Sequence, residues 1–267
     1  MRSALAYVYS PNYPSLGVNI PASTGVAGCF KSRPFGASCV VGTGFFVNEK
    51  GDVATADHVY EEANEIVEKL AAAGFKAHSS LTIAFSNLEK VHHNYFHIDF
   101  TIRDQDTVHD IAVVSPTDPT QIKAIGPLNG ALGLPKPGPM AVTFDLPRPR
   151  DGDSIYACGY PLNAEALTTT SGSIATVWGH ENLQTAKKHG SADETDVYRL
   201  DLKVNPGNSG GPVFEIRNGS VIGMIVEYQG LPGDIAIVVP SHYITELLQK
   251  NHISWGSSVP KQHRAAK

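Results

Sequence analysis

The sequence predicts an all-β protein built as a pair of small β-barrels, with one helix at the end of the second barrel. Three observations favour this fold class. The 267 residues include 25 glycines and 18 prolines, which suit many short strands better than long helices. Apolar runs of strand length recur in two groups, and a proline-rich stretch without periodicity separates them. Each group is large enough to bury a core of its own.

This pattern divides the chain into five consecutive parts. Residues 1–37 are turn-rich and form a predicted N-terminal extension that lies over the surface. The first barrel covers 38–120, and the connector covers 121–153. The second barrel and its C-terminal helix cover 154–251, and a polar tail covers 252–267.

The first barrel carries a predicted helix among its strands. Apolar residues recur with helical spacing over 61–73, and Gly74 ends that stretch. Alternation of apolar and polar residues over 96–102 predicts a half-buried strand. Further strands are predicted at 39–47 and 52–56, joined by a turn.

The second barrel carries the larger number of predicted strands. Asn218-Gly219 lies between two apolar runs and predicts a tight hairpin turn. Ser241 can cap a helix over 242–250, which is the only other helix expected. The predicted strands cover 154–160, 172–178, 197–204, 212–216, 220–227 and 235–239.

Composition excludes several functional classes. The formal net charge is −5 and there is no basic stripe, so we expect no nucleic-acid partner. No apolar run approaches the ~20 residues of a membrane helix, so we expect no membrane partner. If Met1 is the native start, the chain is expected in the cytoplasm. Three cysteines are too few for a disulfide scaffold; a Cys29–Cys39 pair and free buried thiols both remain open.

A serine in a glycine-rich turn is the most informative local feature. The segment 205–212 reads NPGNSGGP, with Ser209 between two predicted strands. Glycines permit positive φ angles and the close approach of a substrate backbone. Such a turn can aim the N–H groups of Gly207 and Ser209, which flank Asn208, at one point, as an oxyanion requires. The segment therefore predicts a nucleophilic serine with an oxyanion loop at Gly207, Asn208 and Ser209.

Two upstream residues supply the partners that a serine nucleophile needs. A serine hydroxyl needs a base, most often a histidine held by a carboxylate. His58 follows a predicted strand, and Asp110 opens the apolar strand that follows it. The order His58, Asp110, Ser209 is that of one of the known triad arrangements. Since the first two residues lie in the first barrel and the third in the second, we expect the site in the cleft between the barrels.

With these residues the chain resembles the trypsin-like serine peptidases, and within them the HtrA/Deg branch. The resemblance runs from about Gly42 to Lys250. The segments that carry it are GTGFFV at 42–47, ATADHV at 54–59, DIAVV at 110–114, NPGNSGGP at 205–212 and DIAIVVPS at 234–241. It implies two antiparallel six-stranded β-barrels, a catalytic His58–Asp110–Ser209 triad, a polypeptide substrate and no cofactor. By analogy with the N-terminal aromatic residues of HtrA proteins, it also raises the possibility of a homo-oligomer, a trimer.

Several positions depart from the family pattern. About seventeen residues follow the last predicted helix, so we expect no PDZ domain in this sequence. Asn208 stands where digestive trypsins carry an aspartate, which argues against activation by propeptide cleavage. Val59 replaces a disulfide-forming cysteine. Asp57, read as a strand residue beside His58, is expected to face away from the imidazole.

The resemblance also implies the pocket for the side chain before the scissile bond. Lys203 and Val204 match positions at its base, while Val226 and Tyr228 would form its wall. A small or medium apolar side chain is the preferred substrate, and an acidic one remains open if the Lys203 ammonium points inward.

Three alternatives remain open at this stage. The chain could be a catalytically silent binding or scaffold protein of the same fold, or an esterase-like hydrolase that uses the same triad. The cluster His92, His93 and His97 could bind a metal, but its spacing suits a helix and the segment reads as a strand, so no metal site is predicted.

Overall fold

A computed structural model of the chain contains two mainly antiparallel sheets: one closes into a six-stranded barrel by hydrogen-bonded pairs, and the end strands of the other are joined by the chain itself. The structure describes residues 5–10, 30–32, 36–72, 74, 80–85, 94–123, 141–161, 167–229 and 235–257. Both closures agree with the predicted all-β class and its pair of barrels. Among the described residues, no helix is long and apolar enough to cross a membrane.

In the first barrel, the two ends of the strand path are joined by the chain itself. Its hydrogen-bonded path runs β6-β5-β1-β3-β4-β8-β7, and β2 pairs outside this path with β3. Only Asp99 separates β6 from β7, so the two ends of the path belong to one bent strand. The elements are β1 Leu5–Ser10, β2 Phe30–Ser32, β3 Gly36–Phe46, β4 Val53–Thr55, helix α1 Asp57–Ala72, β5 Ser80–Phe85, β6 Asn94–Ile98, β7 Phe100–Asp106 and β8 Ile111–Pro116.

The second barrel closes through hydrogen-bonded pairs alone. The ring is β13-β10-β11-β12-β15-β14, and β14 pairs back with β13. A short parallel pair, β9 and β16, extends the sheet from β14. The remaining elements along the chain are α2 Pro119–Lys123, which contacts β8 of the first barrel, β9 Thr143–Phe144, β10 Ser154–Gly159, β11 Thr168–Glu181, α3 Gln184–Lys188, β12 Thr195–Asp201, β13 Pro212–Glu215, β14 Val221–Gln229, β15 Ile235–Pro240, α4 Ser241–Lys250 and β16 Gly256–Ser257.

The N-terminal segment differs from the prediction. Strand β1 lies inside the first barrel, between β3 and β5, with registers such as Tyr7↔Thr43 and Tyr7↔Thr82. The expectation that residues 1–37 drape over the surface is therefore wrong for Leu5–Ser10. This stretch, LAYVYS, has no proline or glycine and is rich in strand-forming residues, so it can pair on both sides.

Five further elements differ from the sequence-based prediction. The connector contributes α2 and the sheet strand β9, and the predicted polar tail contributes β16, which pairs with β9. Helix α3 was not predicted, because five residues are too few to show a helical period. The predicted strand 96–102 is interrupted at Asp99. The domain boundaries remain predictions.

Helix α4 joins the two barrels. It follows β15 directly and contacts β14 and β15 of the second barrel and β7 and β8 of the first. Its buried side chains include Ile244, Leu247 and Leu248. At its end, Lys250 Nζ lies 2.7 Å from Asp104 Oδ2, and Asn251 donates to the same oxygen at 2.8 Å. This packing holds the two barrels together.

Candidate active site

His58 lies in the first turn of α1, whereas the sequence predicted it at the end of a strand. The helix begins four residues before the predicted start, at Asp57, because Val59 already belongs to its apolar face. The buried positions at helical spacing are Val59, Ala63, Ile66 and Leu70. Asp57 places a negative charge in the first turn, which the helix dipole favours. The helix thus fixes the backbone of His58 against the first barrel.

Asp110 is fully buried immediately before β8 and holds His58 at two points. Its Oδ2 lies 2.6 Å from His58 Nδ1, and its Oδ1 accepts the backbone N–H of His58 at 2.9 Å. The backbone adopts a left-handed conformation with φ 55°, which aspartate tolerates better than most residues. The structure therefore brings the predicted base and its predicted orienting carboxylate together.

The charge around His58 favours its protonated form. Burial alone would lower the pKa of the imidazole. The hydrogen bond and negative charge of Asp110, together with the charges of Glu62 and Glu227, outweigh burial and raise that pKa above its ordinary value. The His58–Asp110 pair is therefore suited to hold a proton taken up during a reaction.

Asp57 is a buried carboxylate beside this pair that does not hydrogen-bond to the imidazole. Its Oδ1 accepts a 2.5 Å hydrogen bond from the Gln105 side-chain amide. Burial raises the pKa of Asp57 to about 6; the Gln105 hydrogen bond lowers it, and the nearby charge of Glu61 raises it. The hydrogen bonds described for Asp57 do not include the imidazole, and Asp57 lies on a helix and not on the predicted strand.

Thr43 holds the predicted nucleophile loop, residues 205–212, against the first barrel. The buried Thr43 hydroxyl donates to the Gly207 carbonyl at 2.6 Å and accepts the Tyr160 N–H at 3.2 Å. The Thr43 backbone N–H donates to the Ser209 carbonyl at 2.8 Å. Gly210, with φ 80°, lies so close to the Thr43 carbonyl that a β-carbon would overlap it. These contacts fix Ser209 relative to the barrel that carries His58.

The loop leaves two backbone donors available. Asn208 N–H donates to the Asn205 carbonyl at 3.0 Å, and Asn208 is buried. Within the described part of the chain, the N–H groups of Gly207 and Ser209 donate to no acceptor. Gly207 has φ 100°, a conformation that glycine adopts without strain. The two donors expected for an oxyanion thus make no hydrogen bond to the described residues.

His58 and Ser209 line one cleft, whose other wall comes from the second barrel. Strand β14 contributes Val226, which is buried, and Tyr228, whose side chain is half exposed. Both were predicted as wall residues. Glu227, between them, also lines the cleft; its pKa is raised by burial, and a hydrogen bond from the Gln184 backbone N–H opposes this rise.

The predicted base of the pocket does not reach this cleft. Lys203 is exposed, and Val204 is packed in the core of the second barrel with residues such as Leu202. Neither is among the described residues that line the cleft with His58 and Ser209. The alternation of exposed and buried side chains after β12 explains this placement, because it turns Lys203 outward and Val204 inward. The Lys203 ammonium, on which one of the two open possibilities depends, is therefore not among the described groups that line this cleft.

The sequence did not predict the part of the cleft that β11 and α3 form. Glu181, Gln184 and Lys187 line the cleft, and no motif signals them. Their only signal is position in a polar segment between two strands of the second barrel.

Other predictions about ligating residues have mixed outcomes. His92 and His93 lie outside the described residues, as does Cys29; Cys158 is a buried free thiol. In the described part of the chain, one group could hold a metal ion: Asp57, Glu61 and His189, whose ligand atoms all lie within 4.8 Å of one another.

Comparisons with known proteins agree with this geometry. Residues 42–224 match the family model of the trypsin-like peptidase domain. The chain is 33% identical over 104 residues to Protease Do-like 2 of Arabidopsis thaliana, covering 37% of this chain and 16% of that protein. It is 25% identical over 225 residues to serine protease HTRA1B of Danio rerio, covering 84% of this chain and 38% of that protein. The chain thus spans less than half the length of these relatives.

A solved structure shares the fold. The HtrA-type protease AlgW, solved with a decapeptide, superposes with a TM-score of 0.58 at 19% identity. The superposition covers 93% of this chain and 64% of AlgW. At this identity the likeness concerns the fold, whereas the family model covers more than half of the chain. This chain belongs to the family of trypsin-like peptidase domains.

Proposed function

We propose that this protein is a serine endopeptidase that hydrolyses peptide bonds through an acyl-enzyme. The observation that carries the proposal is the buried Asp110 carboxylate, which holds His58 by two hydrogen bonds in the cleft that Ser209 also lines. Family membership and relatives named as serine proteases support the reaction class.

The roles follow from the positions of the three side chains. Asp110 keeps a proton on His58 Nδ1, so Nε2 is the nitrogen that can accept the hydroxyl proton of Ser209. Ser209 then attacks the carbonyl carbon of the scissile bond, and His58 gives the proton to the leaving amine. Water repeats the sequence on the acyl-enzyme and releases the second product.

Backbone donors would stabilise the charge that forms on the substrate oxygen. The N–H groups of Gly207 and Ser209 are available, and Asn208 is fixed between them by its bond to Asn205. Thr43 anchors the Gly207 carbonyl on the opposite side of the peptide. Such preorganised donors cost no reorganisation during the reaction.

A polypeptide substrate suits the open cleft between the barrels. We expect a small or medium apolar side chain before the scissile bond, since the buried Val226 faces the cleft and the Lys203 ammonium does not. Mapping the cleavage sites on a denatured protein tests this expectation. A majority of cuts after aspartate or glutamate would contradict it.

Labelling with a fluorophosphonate probe tests the nucleophile. Wild-type protein should be labelled, and Ser209→Ala should lose both the label and turnover, by on the order of 10⁴-fold or more. Ser191→Ala is the matched control, because Ser191 hydrogen-bonds to Asp193 outside the cleft lining. Wild-type turnover in Ser209→Ala would refute the assignment.

The label separates the peptidase from a scaffold protein, which would remain unlabelled and cleave nothing. A comparison of peptide and ester substrates separates it from an esterase, which would be labelled but would leave peptides intact. The cytoplasmic location and the trimer remain predictions; cell fractionation and sedimentation of the full chain test them.

A further inference from the structure

A cluster of three ligating side chains links the two barrels beside the candidate active site. Asp57 and Glu61 lie one turn apart on α1 of the first barrel. His189 follows α3 of the second barrel directly. One ligand atom from each side chain lies within 4.8 Å of the other two. The cluster therefore joins segments that are 128 residues apart in sequence.

Asp57 offers the cluster a buried carboxylate oxygen with no hydrogen-bond partner among the described residues. Asp57 is fully buried, and its Oδ1 accepts the Gln105 amide at 2.5 Å. Its Oδ2 is buried and has no hydrogen-bond partner among the described residues. A buried carboxylate oxygen without a partner is costly, and a cation would compensate it.

The other two ligands are already directed at each other. His189 Nε2 lies 2.6 Å from Glu61 Oε1, while Lys188 Nζ lies 3.0 Å from Glu61 Oε2. A bound cation would take the place of the proton between His189 Nε2 and Glu61 Oε1, and the neutral imidazole would carry its ring proton on Nδ1 instead. Lys188 could keep its contact with the second oxygen, as outer partners of ligating carboxylates do.

We propose that Asp57, Glu61 and His189 form a binding site for a divalent transition-metal ion, Zn²⁺ in the first instance, which fastens α1 to the segment after α3. One imidazole and two carboxylates form a ligand set that suits Zn²⁺, with the fourth position open to water. The spacing of Asp57 and Glu61 at i and i+4 places both on one face of the helix. Gln105 holds the Asp57 carboxylate from behind, as a supporting partner of a ligand does.

The site is independent of the peptidase proposal. A metal bound here would stabilise the contact between the barrels and take no part in the attack by Ser209. The experiment therefore measures metal binding and thermal stability, and a catalytically silent protein would give the same result.

Titration of tag-free full-length protein with Zn²⁺ tests the proposal. We expect binding of one ion by calorimetry, removed by EDTA, and a rise in Tm of about 5 °C or more at about 100 times Kd. His189→Ala and the isosteric Glu61→Gln should each weaken this binding at least about tenfold. Gln105→Leu should weaken it about 10- to 100-fold without removing a ligand.

A matched histidine serves as the control. His180 is also an exposed histidine of the second barrel and pairs with a carboxylate, Asp196, at 2.9 Å. His180→Ala should bind Zn²⁺ like the wild type. The Tm of each variant in EDTA shows whether it folds.

Three results would overturn the proposal. They are no Zn²⁺ binding below about 100 µM, binding that His189→Ala and Glu61→Gln leave unchanged, and equal weakening by His180→Ala. In each case the cluster would be a salt-bridge network between the barrels. Replacing Zn²⁺ with Co²⁺ adds a spectroscopic readout, since a tetrahedral site gives intense visible absorption that the two ligand variants should lose.

Discussion

Replacing Asp110 with asparagine tests the candidate triad while preserving the shape of the site. Asparagine is isosteric with aspartate and tolerates the left-handed conformation at φ 55°. The backbone N–H of His58 donates to Oδ1 and still needs an acceptor, so the amide oxygen should take that place. The amide nitrogen then faces His58 Nδ1, where Oδ2 lies at 2.6 Å.

This arrangement forces the wrong tautomer of the imidazole. The amide nitrogen is a donor, so Nδ1 must accept, and the ring proton moves to Nε2. Nε2 can then no longer take the proton of Ser209. We expect kcat to fall by about 10⁴-fold, which corresponds to about 5.4 kcal/mol in the activation free energy.

Steady-state kinetics on a peptide substrate measures this loss. Asp106→Asn is the matched control, because Asp106 Oδ2 lies 2.6 Å from His109 Nδ1 in a similar pair that does not line the cleft. The control should stay within about threefold of wild type, and both variants should keep a cooperative thermal transition. A kcat for Asp110→Asn within tenfold of wild type would refute the tautomer argument.

Three further predictions concern pH, packing and positioning. In EDTA, kcat/KM should fall as pH decreases through the raised pKa of His58, since only the neutral ring accepts a proton; Glu227→Gln removes a negative charge and should move this limb to lower pH. If the acid limb of the pH profile stays at the same pH in Glu227→Gln, the charge of Glu227 does not raise the pKa of His58. Gly210→Ala should lower the free energy of unfolding by at least about 2 kcal/mol, because its β-carbon overlaps the Thr43 carbonyl, whereas Gly190→Ala, with φ 76° and open space, should cost only about 1–2 kcal/mol by chemical denaturation. Thr43→Val should cost about 1–3 kcal/mol and reduce kcat more than it changes KM, because two buried hydrogen bonds of the hydroxyl are lost; a stability loss with unchanged kcat would deny Thr43 a positioning role.

The sequence determined the elements whose signal is local. The glycine-rich turn at 205–212 and the apolar strand after Asp110 each carry a backbone requirement that few other residues satisfy. Strand positions in the second barrel were predictable, because apolar runs bounded by turn residues show directly in the sequence. The fold class and the family follow from these features.

The tertiary structure decided what depends on partners distant in sequence. Leu5–Ser10 becomes a barrel strand only because β3 and β5 offer free edges on both sides. The start of α1 at Asp57 depends on the surface that buries Val59, and that surface also decides where His58 lies. The pattern of apolar and polar residues within these two segments does not show which strands or surfaces they pack against.

The same distinction, between local signals and distant partners, applies to the candidate site. His58, Asp110 and Ser209 could be predicted as a candidate triad, because nucleophilic catalysis by serine demands those residue types. The wall formed by Glu181 and Gln184, and the outward turn of Lys203, are set by how the second barrel closes. The cluster of Asp57, Glu61 and His189 likewise exists only once the two barrels pack together, since burial and proximity across 128 residues are properties of the fold.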